Sequence, residues 1–159
     1  MQPVTAELAV APAYAFLGTV AIVHARSEPT LGGYSLTELR AARGNQAPLH
    51  SHDHDDEGFY VLEGELRLHV GPGTLCLGPG QCAVAPRSVP HTFVVESEQA
   101  RWLVVSNGGF DRFVGEIGQP LADAEQPCAG VEPPPVERIL EVAAGHGIQI
   151  LGPPGTLPS

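Results

Sequence analysis

The sequence predicts an all-β fold, a sandwich or barrel of short strands with a helical tail, on three observations. Between Glu57 and Ser106 β-prone segments recur at short intervals, closed by turns such as Gly71-Pro72-Gly73, Gly78-Pro79-Gly80 and Pro86 to Pro90. Within this stretch Leu66, Leu68 and Val70 alternate with Arg67 and His69, the two-residue period of a pleated strand. A three- to four-residue period appears only after Ser106. At 159 residues the chain is long enough to bury one core and short for two.

Taken in order, residues 1–13 read as a loose N-terminal arm. Residues 15–26 and 34–41 are β-prone runs parted by the Gly32-Gly33 turn signal. The apolar stretch 8–23 is too short for a spanning helix, contains Pro12 and Gly18, and has no basic residue ahead of it. It therefore reads as a buried strand and not as a leader. Residues 57–70 read as a hairpin turning at Glu63-Gly64-Glu65. The continuous apolar run Phe59-Tyr60-Val61-Leu62 needs cover on both faces, from a second sheet or a partner subunit.

Residues 75–77, 82–85, 91–95 and 102–106 are the next strands. Phe110, Phe113, Val114 and Ile117 then mark a short helix that Gly118 and Pro120 end, with Asp111 in its first turn. Residues 119–134, rich in proline, alanine and acidic side chains, read as an irregular tether. A second helix is expected over 135–144, with Pro135 at its start and Ile139, Leu140 and Ala143 as its apolar stripe. Residues 148–151 follow as one more strand. The chain thus divides into an arm (1–13), a β-barrel (14–107) and a C-terminal helical extension packed on it (108–159).

The formal charge of −10, with all eight basic residues arginines spread thinly along the chain, predicts neither nucleic acid nor an anionic membrane as partner. Three cysteines, Cys76, Cys82 and Cys128, show no CxxC spacing and read as buried small hydrophobes of a cytoplasmic protein.

The chemistry concentrates between Gly44 and His91. Side chains two apart in a strand face the same way, so His50 and His52 can converge on one ion. Glu57 opens the next strand on the face shared by Phe59 and Val61, and a carboxylate entering an apolar interior needs a partner. His91 leads a strand whose inward face also carries Phe93, after a turn stiffened by Pro86 and Pro90. Three neutral imidazoles and one carboxylate suit a divalent transition metal and leave positions open on an octahedral ion. The run from Asp53 to Asp56 alone reads as a solvated acidic loop. It is not a calcium loop, because the twelfth position from Asp53 is Gly64 where a glutamate is required. His24 and His69 read as surface strand residues, His146 as a helix-end cation, and His54 as a candidate for the shell behind the metal ligands.

Gly44, His50, His52, Glu57 and Gly64 match G-x5-H-x-H-x4-E-x6-G, and Gly80, Pro86 and His91 match G-x5-P-x4-H. These are the two motifs of the cupins, and the chain resembles small single-domain bacterial cupins similar to quercetin 2,3-dioxygenase. The resemblance implies a jelly-roll barrel, a homodimer, and His50, His52, Glu57 and His91 as metal ligands. Ser88 stands where the second motif usually has glycine, and Val95 where asparagine is frequent.

The function expected from these residues is a metal-dependent oxygenase. Its small enolisable or phenolic substrate would sit beside Phe59, Phe93 and Trp102, with dioxygen as co-substrate and Glu57 as ligand, base or both. The same site would serve a non-redox cyclase, isomerase or lyase, or a small-molecule-binding protein. The ion is open among iron, nickel, cobalt, manganese, copper and zinc.

Overall fold

The computed structural model describes residues 10–31 and 33–159. Most of the expected N-terminal arm lies outside the described residues, as does Gly32 of the first turn signal. The strands are β1 (Ala13–Phe16), β2 (Thr19–Ala25), β3 (Ser35–Ala42), β4 (Leu49–His52), β5 (Glu57–Glu63), β6 (Leu66–Val70), β7 (Gly73–Leu77), β8 (Cys82–Ala85), β9 (His91–Val95) and β10 (Gln99–Ser106). Helix α1 (Phe110–Ile117), the two-residue strand β11 (Gln119–Pro120), α2 (Val136–Gly145) and β12 (Ile148–Gly152) complete the chain. Among the described residues no helix is long and apolar enough to cross a membrane.

Two antiparallel sheets face each other in a jelly-roll arrangement, without closing into one continuous barrel among the described residues. One has the order β11-β1-β2-β3-β10-β5-β8 and the other β12-β4-β9-β6-β7. Inward residues of both, including Phe59, Val61, Leu66, Leu68, Phe93 and the fully buried Trp102, form the core. Burial of a large apolar side chain is worth about 1.5–3 kcal/mol.

The hairpin expected over 57–70 is not formed. β5 pairs with β10 and β8 in one sheet, while β6 pairs with β7 and β9 in the other, so the Gly64 turn carries the chain across the core. The expected strand over 15–26 is likewise broken at Leu17-Gly18. Both residues have positive φ, 48° and 80°, the two-residue hairpin turn whose twist suits the flanking strands. Cover for the β5 quartet exists on one face only. Phe59 and Val61 are buried, whereas Tyr60 on the outer face is 40% exposed.

The cysteine expectation is also overturned, since Cys76 and Cys82 are exposed, Cys128 is half-buried, and all three are free. Cys76 and Cys82 sit at outward positions of β7 and β8, where the pleat turns every second side chain to solvent. The tether has a structural task of its own. Leu121, Ala124 and Cys128 pack on Ala13, Val20 and Ile22, the outer face of the first hairpin.

One buried carboxylate stands apart from the core. Glu38 on β3 accepts from Arg40 Nε at 2.8 Å, lies 2.8 Å from His24 Nε2, and has Arg101 Nε at 3.6 Å. Burial raises its pKa, but the Arg40 and His24 hydrogen bonds and the neighbouring guanidinium charges outweigh that and leave it lowered. A lowered folded-state pKa means that the unfolded chain binds the proton more tightly. The stabilisation is then complete above the unfolded value of about 4.3 and is lost as pH falls through the folded value. Glu38→Gln should therefore be less stable than the parent at pH 7, with the two denaturation curves converging in acid. A constant gap down to pH 2 would show that the effect is packing and not charge.

Candidate metal centre

His50 and His52 point inward from β4, His91 from β9 and Glu57 from the start of β5, so the cluster draws its members from both sheets. One donor atom from each lies within 4.8 Å of all the others. Glu57 Oε2 is 2.9 Å from His91 Nε2, 3.3 Å from His52 Nε2 and 3.9 Å from His50 Nε2. His52, Glu57 and His91 are almost wholly buried, and His50 reaches the edge of the cavity. Donors bonded to one ion at about 2.0–2.2 Å stand roughly 3–4 Å apart, which is close to the separations of Glu57 Oε2 from the three imidazole nitrogens.

Hydrogen bonding prepares the rings for that role. His50 Nδ1 donates to the Pro48 carbonyl at 2.8 Å and His91 Nδ1 to the Val89 carbonyl at 2.9 Å, each reaching two residues back along its own chain. A carbonyl only accepts, so a neutral ring in this position carries its proton on Nδ1 and turns the Nε2 lone pair inward. His91 Nε2 then faces a carboxylate oxygen, an arrangement that calls for a proton or a cation between them. Both ring nitrogens of the buried His52 lack a hydrogen-bond partner. A cation bound by the four Nε2 and Oε2 atoms answers both observations, and the residues present fit a divalent metal.

The charges agree. Burial pushes the His50 pKa down, only partly offset by Glu57, which favours the neutral ligand form. Burial acts the same way on His52, but the charges of Glu57, Asp55 and Asp53 prevail and raise it. Burial would raise Glu57, yet the surrounding imidazoles, His52 foremost, and the short contact with His91 hold it well below the usual carboxylate range, so it is an anion at neutral pH.

Asp55 and Asp56 make the acidic loop a brace, while Asp53 and His54 face solvent. Asp55 is buried, with Oδ2 4.0 Å from His52 Nδ1, and it accepts from Ser106 Oγ and the Gly109 N–H. A Cβ on Gly108 would fall within the Asp55 carboxylate, so only glycine leaves that aspartate its place. Asp56 accepts from the Arg87 backbone at 3.0 Å and from its guanidinium Nη2 at 2.6 Å, and its own N–H donates to Asn107 Oδ1. The Arg87 hydrogen bonds hold Asp56 far below the ordinary carboxylate pKa. This clamp joins the approach to Glu57 with the turn before His91. In that turn Ser88, at the position where the motif usually has glycine, adopts φ 64° and donates its N–H to the His52 carbonyl at 2.7 Å.

His54, the residue expected to stand behind the ligands, is exposed; Asp55 is the side chain that lies behind His52. The signal for Asp55 was present only as one acid among several, and its burial depends on the distant Ser106 and Gly109. His24 bonds to Glu38, His69 to Thr74, and His146 to Glu116. Phe59 and Phe93 line the cavity above the cluster, joined by Phe110 and Phe113. Trp102 stacks edge-on behind Phe93 at 5.1 Å and does not line it.

The family model described as Cupin domain matches residues 38–106. Quercetin 2,3-dioxygenase of Bacillus subtilis (strain 168) is 31% identical over 139 residues, which is 87% of this chain and 41% of that protein. The chain thus spans less than half the length of that relative. Among solved structures, the polyketide cyclase RemF from Streptomyces resistomycificus superimposes with a TM-score of 0.51 at 26% identity, over 67% of this chain and 79% of that one. KdgF from Halomonas sp. gives 0.51 at 20% identity, over 56% and 77%. With both motifs on one inward-facing cluster between two jelly-roll sheets, residues 38–106 are a cupin domain, and the chain resembles quercetin 2,3-dioxygenase.

Proposed function

We propose that this chain is a metal-dependent oxygenase acting on a small enolisable or phenolic compound, with His50, His52, Glu57 and His91 holding one divalent transition ion. The observation that carries the reading is the cluster itself: three imidazoles, two of them with Nε2 lone pairs turned inward, and one anionic carboxylate at the floor of an apolar cavity. The 31% identity to a quercetin 2,3-dioxygenase favours oxygen chemistry over the alternatives. When bound, the ion would supply a Lewis acid and, if redox-active, a route for electrons to dioxygen.

The chain's own residues do the rest. Phe59 and Phe93 present an apolar wall that excludes water and accepts a flat ring. His50 and His91 keep their protons on Nδ1, away from substrate. The Glu57 carboxylate is ionised at neutral pH, and its oxygen that is not directed at the ion would take the proton of a substrate hydroxyl. A non-redox cyclase, isomerase or lyase is the second reading, favoured by the 26% identity to the cyclase RemF. We propose a homodimer that covers the outer face of β5, β8 and β10, where Tyr60, Val84 and Val105 are exposed. A cytoplasmic setting suits the three free thiols.

The test is elemental analysis of the purified protein with oxygen uptake in the presence of quercetin and a panel of enolisable phenols, on iron-, nickel-, cobalt- and manganese-loaded samples. Stoichiometric metal with substrate-dependent uptake is expected. Metal without uptake would move the assignment to the non-redox enzyme or a binding protein, and no metal under any loading would remove the centre. Sedimentation of the same samples should give a dimer at micromolar concentration; a monomer would count against the proposed interface.

A further inference from the structure

The cavity at the metal centre is small. Its volume is ≈ 70 Å³, room for a compact polar head group, whereas sites for organic ligands usually enclose about 300–1,000 Å³. Next to it lies a second, wider hollow of ≈ 700 Å³. Leu17, Gln46, Pro48, Ile139 and Ile150 line both, so the two spaces adjoin along a common wall. The outer walls come from the C-terminal part of the chain, through α2, β12 and the end of the tether.

Two features mark this hollow as more than a gap between elements. Val136, Leu140 and Leu151 line it while remaining 65%, 44% and 50% exposed, a concentration of large apolar side chains toward water that the core does not require. In addition, none of its lining residues is charged, although the chain carries a net charge of −10. A surface kept free of carboxylates in so acidic a protein is suited to an uncharged, apolar occupant.

We propose that this groove is an outer subsite holding the apolar body of a substrate whose small polar head reaches the cluster of His50, His52, Glu57 and His91. The ligand class is a head-and-tail molecule, an enolisable or phenolic head bearing an aryl or alkyl body. This rests on the reading that the head binds at the metal centre. Continuity with that cavity and a volume matched to a small molecule favour this occupant over a second copy of the chain. The C-terminal extension is then part of the binding site, and its apolar residues set which bodies are accepted.

The experiment is a calorimetric titration under nitrogen of 4-alkylcatechols, methyl to octyl, into nickel-loaded protein and into protein stripped of metal. Affinity in the loaded protein should rise about two- to fourfold with each methylene that enters the groove. Leu140→Asp and Val136→Asp, both at exposed positions, should flatten the rise while leaving 4-methylcatechol affinity within about twofold. A series that is flat in the parent protein, as it would be if a second subunit filled the groove, overturns the proposal. So does a rise that neither substitution changes. A rise of equal slope in stripped protein, with 4-methylcatechol failing to bind either form, keeps the groove and removes the metal centre as its anchor. That outcome separates failure of the earlier reading from failure of this one.

Discussion

Glu57→Gln should lower turnover by about 10²–10⁴-fold while the purified protein still takes up metal. The substitution keeps the volume and one acceptor oxygen in a position that is 3% exposed, so packing around the site is preserved. What it removes is the negative charge, and with it the ability to accept a proton. General-base catalysis is worth about that factor, and the carboxylate is the only group in the cluster with an unused proton-accepting site once the imidazole lone pairs are directed at an ion. Metal affinity should fall, since one anionic donor is lost, but three imidazoles remain. Single-turnover rates, metal content and melting temperature measured together decide the matter. Undiminished turnover at full metal loading would eliminate Glu57 as the base and leave it only a ligand.

A change at the other end of the same strand should act on the fold. Gly64→Ala is expected to destabilise the protein by about 3–5 kcal/mol, a large part of the 5–15 kcal/mol that holds a typical domain together. The residue has φ 76°, a conformation that costs an L side chain about 1 kcal/mol or more. An added Cβ would also overlap the Gln99 carbonyl and come within 2.8 Å of Ala100 Cα, both backbone groups that cannot rotate away. Relief would need movement of β10 against β5, the pair that carries Glu57 at its far end. Chemical denaturation should show the loss directly, and a cost under about 1 kcal/mol would mean that the crossing between the sheets is more pliant than its contacts imply.

Glycine 64 also shows where the sequence was legible and where it was not. Its turn signal located the ends of β5 and β6 correctly, because local punctuation and the two-residue period are properties of neighbouring residues. Which strands pair is not such a property. The partners of β5 are β8 and β10, far along the chain, so a turn that resembles a hairpin turn was read as one. The candidate cluster was legible for the opposite reason, since the spacing of His50, His52 and Glu57 and the prolines before His91 are local features that set their faces directly. Asp55 and Arg87 were missed because their roles depend on Ser106, Gly109 and Asp56 brought together by the fold. The cysteine reading failed for the same reason: alternation says that two residues share a face, but not whether that face meets a neighbour.

Three of the candidate ligands belong to the five-stranded sheet and the fourth, Glu57, to the seven-stranded one. An ion held by all four would therefore rivet the two halves of the sandwich together at one end, and its binding energy would count toward folding as well as toward chemistry. At a free concentration one hundred times its dissociation constant such a rivet adds about 2.7 kcal/mol to stability. The protein's resistance to heat and to proteases would then track metal supply, so that a starved cell loses the protein itself along with its activity.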